Sequence, residues 1–259
     1  VMFTGSSRVG KHIGEICGKQ MKHAVLELGG KSPLVILADA DLGLAVKTAI
    51  FGMFLYQGQA CMASSRIIVE EGIYDQFIAA YKQAASQLSM GDLREMSTIL
   101  GPIISQRQRD RVRRHIDNAV EKGATIETGG NWQGNKCEPT ILTGITEEMD
   151  VCYEETFGPV TSVYSVKNYE AALEMANDTP YGLSSAIITN DLNKALDFAE
   201  NIDSGMVHIN APTLYDEPHV PFGGTGDSGF GREGIEVDVD ALTEWKWITI
   251  QLPDASAGH

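Results

Sequence analysis

Strand-like and helix-like segments alternate along almost the whole of this chain, and that order admits few architectures other than a layered α/β fold. The strand-like runs are Ala24–Leu28, Leu34–Leu37, Arg66–Glu70, Val160–Val166, Ser185–Thr189 and Met206–Ile209. Val1-Met2-Phe3 adds another at the start and runs into a turn at Thr4-Gly5-Ser6. Phe77, Tyr81, Ala84 and Leu88 recur at helical spacing after the break at Glu70-Glu71-Gly72. A second helix starts at Ser105, with Gln108 three residues on as its capping-box partner. Val112, Ile116 and Val120 form its apolar stripe, and Gly123 is its natural stop. Helices are also predicted near Tyr169–Ala176 and Asn193–Asn201. A chain of 259 residues, 43% apolar and 21% charged, suits one large core or one domain plus a fragment of another.

Several classes of function are disfavoured. The longest strongly apolar stretch, Ala49–Leu55, is far too short to cross a bilayer. No basic segment followed by an apolar core opens the chain, so no secretory signal is visible. Cys17, Cys61, Cys137 and Cys152 are widely spaced, without a CxxC pair or a Cys/His cluster, which argues against zinc and a disulfide framework and fits a cytoplasmic setting. A net charge of -15 argues against nucleic acid or an anionic membrane as partner. Arg107, Arg109, Arg111, Arg113 and Arg114 alternate with Asp110 and read as a solvated helix face or a subunit contact. Near the end, Lys246–Leu252 places Ile248, Ile250 and Leu252 on one face of a strand. Such a strand pairs with another subunit or forms an edge of the chain's own sheet.

Chemistry concentrates in two glycine-bounded segments, Leu26–Pro33 and Gln57–Cys61. They offer a carboxylate, Glu27, and a thiol, Cys61. A thiolate attacks a carbonyl carbon, and a separate carboxylate activates the water that later frees the acyl group. Gly58, Ala63, Ser64 and Ser65 surround Cys61 with small residues that let a substrate approach and let backbone N–H groups face an oxyanion. A buried structural cysteine and an exposed strand-end carboxylate are the plain alternatives.

Six segments, in order, resemble the aldehyde dehydrogenase superfamily. They are Phe3–Gly10, Leu26–Lys31, Gly58–Cys61, Glu154–Pro159, Pro221–Gly224 and Ser228–Glu233. The resemblance implies an α/β fold: a catalytic domain with a remnant of the Rossmann-like cofactor domain and a C-terminal oligomerisation strand. It implies three regions, with residues 1–28 the cofactor-domain remnant, 29–228 the catalytic domain and 229–259 the oligomerisation segment. It also implies that the chain corresponds to the family's C-terminal half, without most of the cofactor domain and without the segment supplying the catalytic asparagine.

By the same resemblance the chain belongs to an enzyme that oxidises an aldehyde with NAD or NADP, and by itself it is expected to be incomplete for that oxidation. Cys61 forms a thiohemiacetal and then a thioester, and Glu27 is the general base. Gly5, Ser6 and Gly10 belong to a turn that directs helix N–H groups at the cofactor pyrophosphate, although from spacing alone this is an ordinary βα turn. Glu155 matches the residue that holds the nicotinamide-side ribose, and Phe157 the one beside the nicotinamide ring; a surface carboxylate and a core aromatic are the alternatives. Tyr215, His219 and Phe222 are candidate substrate-pocket walls, with His219 alternatively a loop histidine. The stretch Asp216–Phe222 is similar to that of members acting on aromatic aldehydes, such as benzaldehyde, salicylaldehyde and vanillin dehydrogenases. A homo-oligomer through the C-terminal strand is implied. Two other readings stand beside oxidation: a cofactor-independent thiol esterase, and a non-catalytic module that self-associates.

Overall fold

A computed structural model describes residues 1–251. In chain order it contains β1 (Met2–Thr4), α1 (Ser7–Lys19), β2 (Val25–Glu27), β3 (Pro33–Ile36), α2 (Leu42–Phe54), β4 (Arg66–Glu70), α3 (Glu71–Ser86) and α4 (Gln106–Glu121). There follow β5 (Thr125–Thr128), a small hairpin β6–β7 (Trp132–Gln133, Lys136–Cys137), β8 (Thr140–Thr143), α5 (Asp150–Tyr153), β9 (Val160–Val166) and α6 (Tyr169–Asn177). The last elements are β10 (Tyr181–Gly182), β11 (Ser184–Ile188), α7 (Leu192–Asn201), β12 (Met206–Ile209), β13 (Thr225–Gly226), β14 (Gly229–Phe230) and α8 (Ile235–Leu242).

The main sheet has seven strands in the order β12-β11-β3-β4-β9-β8-β5, parallel except for the β5–β8 pair. Two central strands carry continuous apolar runs, Leu34–Ile36 in β3 and Ile67–Val69 in β4, because helices cover both faces. Alternate residues of one strand enter different cores. Leu34, Ile36, Ile67 and Val69 pack under α2 and α3 with Met53, Phe54, Phe77 and Tyr81. Val35, Leu37, Ile68 and Ile187 pack under α6 and α7 with Tyr169, Ala172 and Phe198. Burial of each large apolar side chain contributes roughly 1.5–3 kcal/mol.

A smaller sheet, β1-β2-β14, carries α1. There Gly10 is buried where the helix crosses Leu28, leaving no room for a side chain.

Several expectations need correction. Ser105 does cap α4, accepting the Gln108 N–H at 3.2 Å, but the Gln108 side chain turns away from the cap to the 154–157 loop. Val120 is exposed, and His115 and Ala119 are buried beside Val112 and Ile116 in its place. Leu88 lies beyond the end of α3. Residues 246–251 form no strand and pair with none among the described residues, so the own-sheet edge is ruled out for them, and Leu252 lies outside the described residues. Trp245, Trp247, Ile248 and Ile250 are all exposed.

Candidate active site

Three loops enter neighbouring strands from the same end of the large sheet. Residues 28–32 lead into β3, residues 55–65 into β4 and residues 154–159 into β9. Opposite them stands the carboxyl end of the small sheet, where β1 runs into Gly5 and β2 ends at Glu27. The candidate site is the seam between these two ends.

Close backbone approach closes the seam. The Gly30 N–H donates to Glu155 Oε1 at 3.0 Å. A Cβ on Gly30 would overlap the carbonyl oxygen of Cys61, so only glycine lets the two loops touch. Gly223 brings the fourth loop in: a Cβ there would stand 2.8 Å from Glu27 Oε1.

The loop that carries Cys61 is strained. Tyr56, Gln57 and Gly58 follow one another in the left-handed region at φ of 50°, 59° and 64°. Each non-glycine residue there costs about 1–2 kcal/mol. Neighbours hold the shape. The Gln57 amide, oriented to satisfy both partners, accepts from the Gly101 N–H at 3.0 Å and donates to Tyr56 O at 2.9 Å. Gln59 Oε1 accepts the Ile104 N–H at 2.9 Å. Beyond Cys61, Thr213 Oγ1 donates to Met62 O at 2.6 Å and lies 2.7 Å from Ser64 Oγ.

Burial dominates the electrostatics of the seam. Glu27 is 3% exposed, and neither carboxylate oxygen has a hydrogen-bond partner among the described residues. Burial, reinforced by Glu233 and opposed by Arg232, pushes its carboxyl up to about 8. Burial and the Glu155 and Glu27 carboxylates push the Cys61 thiol up to about 11. The resting sulfur is therefore a thiol, where the chemistry requires a thiolate, and attack requires a base to take its proton. Lys31 is buried too, and desolvation with Arg66 nearby lowers its amine to about 7.

The candidate cofactor residues lie on both sides of the seam. The Gly5 N–H donates to Glu27 O at 2.9 Å, tying the α1 turn to the end of β2. Ser6 occupies the N-cap without a side-chain capping bond, and the first turn of α1 carries no acidic residue, so the helix N-terminus is open to an anion. Phe157 takes a left-handed φ of 53° and its carbonyl is held by Gln108 at 2.8 Å. Among the pocket candidates, Phe222 is half-buried beside Gly223 and bonded through its backbone to Glu233 at 2.7 and 2.8 Å. Tyr215 is exposed, with its hydroxyl 3.2 Å from Glu217 Oε1, and His219 is exposed on the same loop. Neither Tyr215 nor His219 shares Phe222's backbone tie to the residues around Glu27.

Sequence reading missed Glu233 and Arg232 as the charges that face Glu27, although both lie in a quoted segment. It also missed Gln108 and Arg111. No group of three or more His, Cys, Asp or Glu residues among the described residues is arranged to hold a metal. No helix among them is long and apolar enough to cross a membrane.

The aldehyde dehydrogenase family profile matches residues 1–248. A benzaldehyde dehydrogenase of Bacillus subtilis is 41% identical over 97% of this chain and 52% of its own length. A salicylaldehyde dehydrogenase of Pseudomonas sp. is 43% identical, again over 97% of this chain and 52% of its length. The crystal structure of salicylaldehyde dehydrogenase from Pseudomonas putida complexed with salicylaldehyde superposes with a TM-score of 0.92 at 41% identity, covering 100% of this chain and 54% of that one. Betaine aldehyde dehydrogenase from Staphylococcus aureus in complex with NAD+ gives a TM-score of 0.89 at 36% identity over 93% of this chain and 49% of that one. The chain thus spans about half the length of the relatives it matches.

Proposed function

The chain belongs to the aldehyde dehydrogenase family, and from that premise we propose that it carries the covalent half of an NAD(P)-dependent oxidation of aromatic aldehydes to carboxylic acids. The observation that carries this reading is the meeting of Cys61 with the Glu27 and Glu155 carboxylates at one seam. The proposed division into residues 1–28, 29–228 and 229–259 places the base and the nucleophile on opposite sides of it.

Glu27 acts first on the thiol. With its carboxyl near 8, close to half of it is ionised at mildly alkaline pH, and it accepts the Cys61 proton as the sulfur attacks the carbonyl carbon. A carbon–sulfur bond forms, and the carbonyl π pair becomes an oxyanion facing the Cys61 backbone N–H. Held beside Glu155 and Phe157, a nicotinamide would supply the hydride acceptor that turns this adduct into a thioester. Glu27 returns that first proton to solvent and, again a carboxylate, takes a proton from water as the water attacks the acyl carbon; the carbon–sulfur bond breaks, releasing the acid and a Cys61 thiolate, which takes the proton back from Glu27. The uncapped N-terminus of α1, with Gly5 and Ser6, fits a dinucleotide pyrophosphate. Glu155 and Phe157 fit the nicotinamide end, with Phe222 as a wall of the aldehyde site.

The test is to mix the chain with salicylaldehyde or benzaldehyde and NAD+ or NADP+ and follow the absorbance of the reduced cofactor. Product that forms more slowly than with a full-length relative and disappears in Cys61→Ala is the expected result, and turnover equal to that of a full-length relative overturns the incompleteness of this chain. No product from either overturns oxidation by this chain. A second reading, hydrolysis of activated esters by Cys61 and Glu27, is supported by both residues lying in one chain and needing no cofactor. It fails if Cys61→Ala leaves ester hydrolysis unchanged.

The exposed apolar residues of 245–250 support self-association through the C-terminal segment. Deletion of residues 245–259 is expected to lower the mass seen by light scattering. A wild-type monomer in that measurement overturns the self-association.

A further inference from the structure

One face of α4 makes contacts that neither capping nor core packing requires. Gln108, Arg111 and His115 stand at i, i+3 and i+7, so all three point the same way. Each reaches the loop that carries Glu155 and Phe157. Arg111 donates from Nε and Nη2 to Glu155 O at 3.0 and 2.6 Å, and from Nη2 to Glu154 Oε2 at 3.2 Å. Gln108 Nε2 donates to both Thr156 O and Phe157 O at 2.8 Å. His115, fully buried, places Nδ1 3.0 Å from Thr156 Oγ1. Three consecutive backbone carbonyls are therefore held by side chains of one helix. On its far side the same loop is pinned by the bond from the Gly30 N–H to Glu155 Oε1.

We propose that Gln108, Arg111 and His115 are positioning residues that fix where Glu155 and Phe157 stand, through the backbone of their loop. This rests on the reading of Glu155 and Phe157 as the cofactor-side residues. The physical case is the cost of the loop's shape. Phe157 occupies the left-handed region at φ 53°, and consecutive carbonyls facing one direction repel unless donors meet them. Arg111 and Gln108 supply those donors. A guanidinium that bonds a carbonyl through two of its N–H groups also sets an angle that a lysine cannot. Arg111 therefore differs from the other arginines of its segment, which sequence assigns together to a solvated or subunit-facing surface. Arg113, for comparison, stacks over the Trp132 ring at 5.2 Å.

The test uses Cys61 as the reporter, because burial holds that thiol protonated and the nearby Glu155 carboxylate adds to the effect. Gln108→Met and Arg111→Met are each made in the wild type and in Glu155→Gln. The rate of Cys61 alkylation by iodoacetamide is read by mass spectrometry at one mildly alkaline pH, and amide exchange is read at residues 154–158. With the loop released, the carboxylate drifts from the thiol, and alkylation is expected to rise about three- to tenfold, a change of up to one pKa unit. In the Glu155→Gln background the same substitutions should add nothing. Arg111→Lys, keeping the charge but losing the fork, should fall between wild type and Arg111→Met. Equal effects in both backgrounds, or unchanged exchange at 154–158, overturn the proposal. Gln108→Met alters no charge at a half-buried site, so it remains informative if Arg111→Met fails to fold. If the coupling to Glu155 holds but Glu155→Gln leaves dinucleotide-dependent oxidation unchanged, the clamp stands and the cofactor reading of Glu155 falls.

Discussion

The two ends of the seven-stranded sheet treat polar groups in opposite ways. At the carboxyl end, Asp39 accepts from Thr189 Oγ1 at 2.8 Å and from the Asn190 N–H at 2.9 Å. Asn210 bonds both the N–H and the carbonyl of Thr189 at 3.0 Å, and Glu70 accepts the Ala38 N–H at 2.8 Å. Those partners are saturated. At the amino end, Glu27, Ser32 and Ser65 keep buried oxygens without partners among the described residues, and the Cys61 thiol is pushed far from its ordinary range. Open α/β sheets usually bind ligands beyond the carboxyl ends of their strands. Here that end is a closed network, and the candidate site lies at the other, where the small sheet brings its own carboxyl end up against it. Position along a sheet does not decide where chemistry happens; unsatisfied polar groups do.

The sharpest break of this contrast is Cys61→Ala, which should lower Cys61-dependent turnover by at least about 10³-fold while leaving thermal stability within about 1 kcal/mol. Turnover that survives would place the chemistry elsewhere. Gly30→Ala comes next: the overlap with the Cys61 carbonyl should cost roughly 2–3 kcal/mol in denaturant unfolding and displace the nucleophile loop. A neutral Gly30→Ala would mean the loops do not touch.

Glu27→Gln tests the strained end through pH. The fold prefers the protonated carboxyl, so that preference is fully satisfied below about 4.5 and is lost as pH rises through 8. The variant should therefore match wild type at acid pH and be more stable, by on the order of a few kcal/mol, above the folded pKa. Asp39→Ala is the matched change at the saturated end. It should cost about 1–3 kcal/mol and leave Cys61 alkylation unchanged. Altered alkylation would show that the two ends are coupled. The smallest effect is expected for Ser105→Ala, about 1 kcal/mol, from loss of the α4 cap.

Much of the fold was legible because its central strands are buried on both faces. β4, β9 and β12 have the bounds read from the sequence, Arg66–Glu70, Val160–Val166 and Met206–Ile209. The inward face of α4 was not legible in full. Hydropathy selects Val120, but the helical period carries the buried face through His115 and Ala119, and a polar histidine hides that pattern. The glycine-bounded loops located Cys61 and Glu27. Nothing local marks Tyr56 and Gln57 as left-handed, since neither is glycine; their conformation is imposed by the loops they bond. The charges on Glu27 come from Arg232 and Glu233, some two hundred residues away, and that proximity exists only after β14 pairs with β2.

The placement of tryptophan has an optical consequence. Of the chain's 3 tryptophans, Trp132 lies under the Arg113 guanidinium, while Trp245 and Trp247 are 95% and 94% exposed. Intrinsic fluorescence from this protein is therefore mostly light from its C-terminal segment. A blue shift on raising the concentration would report that segment becoming covered, and titration at Cys61 would leave the emission almost untouched.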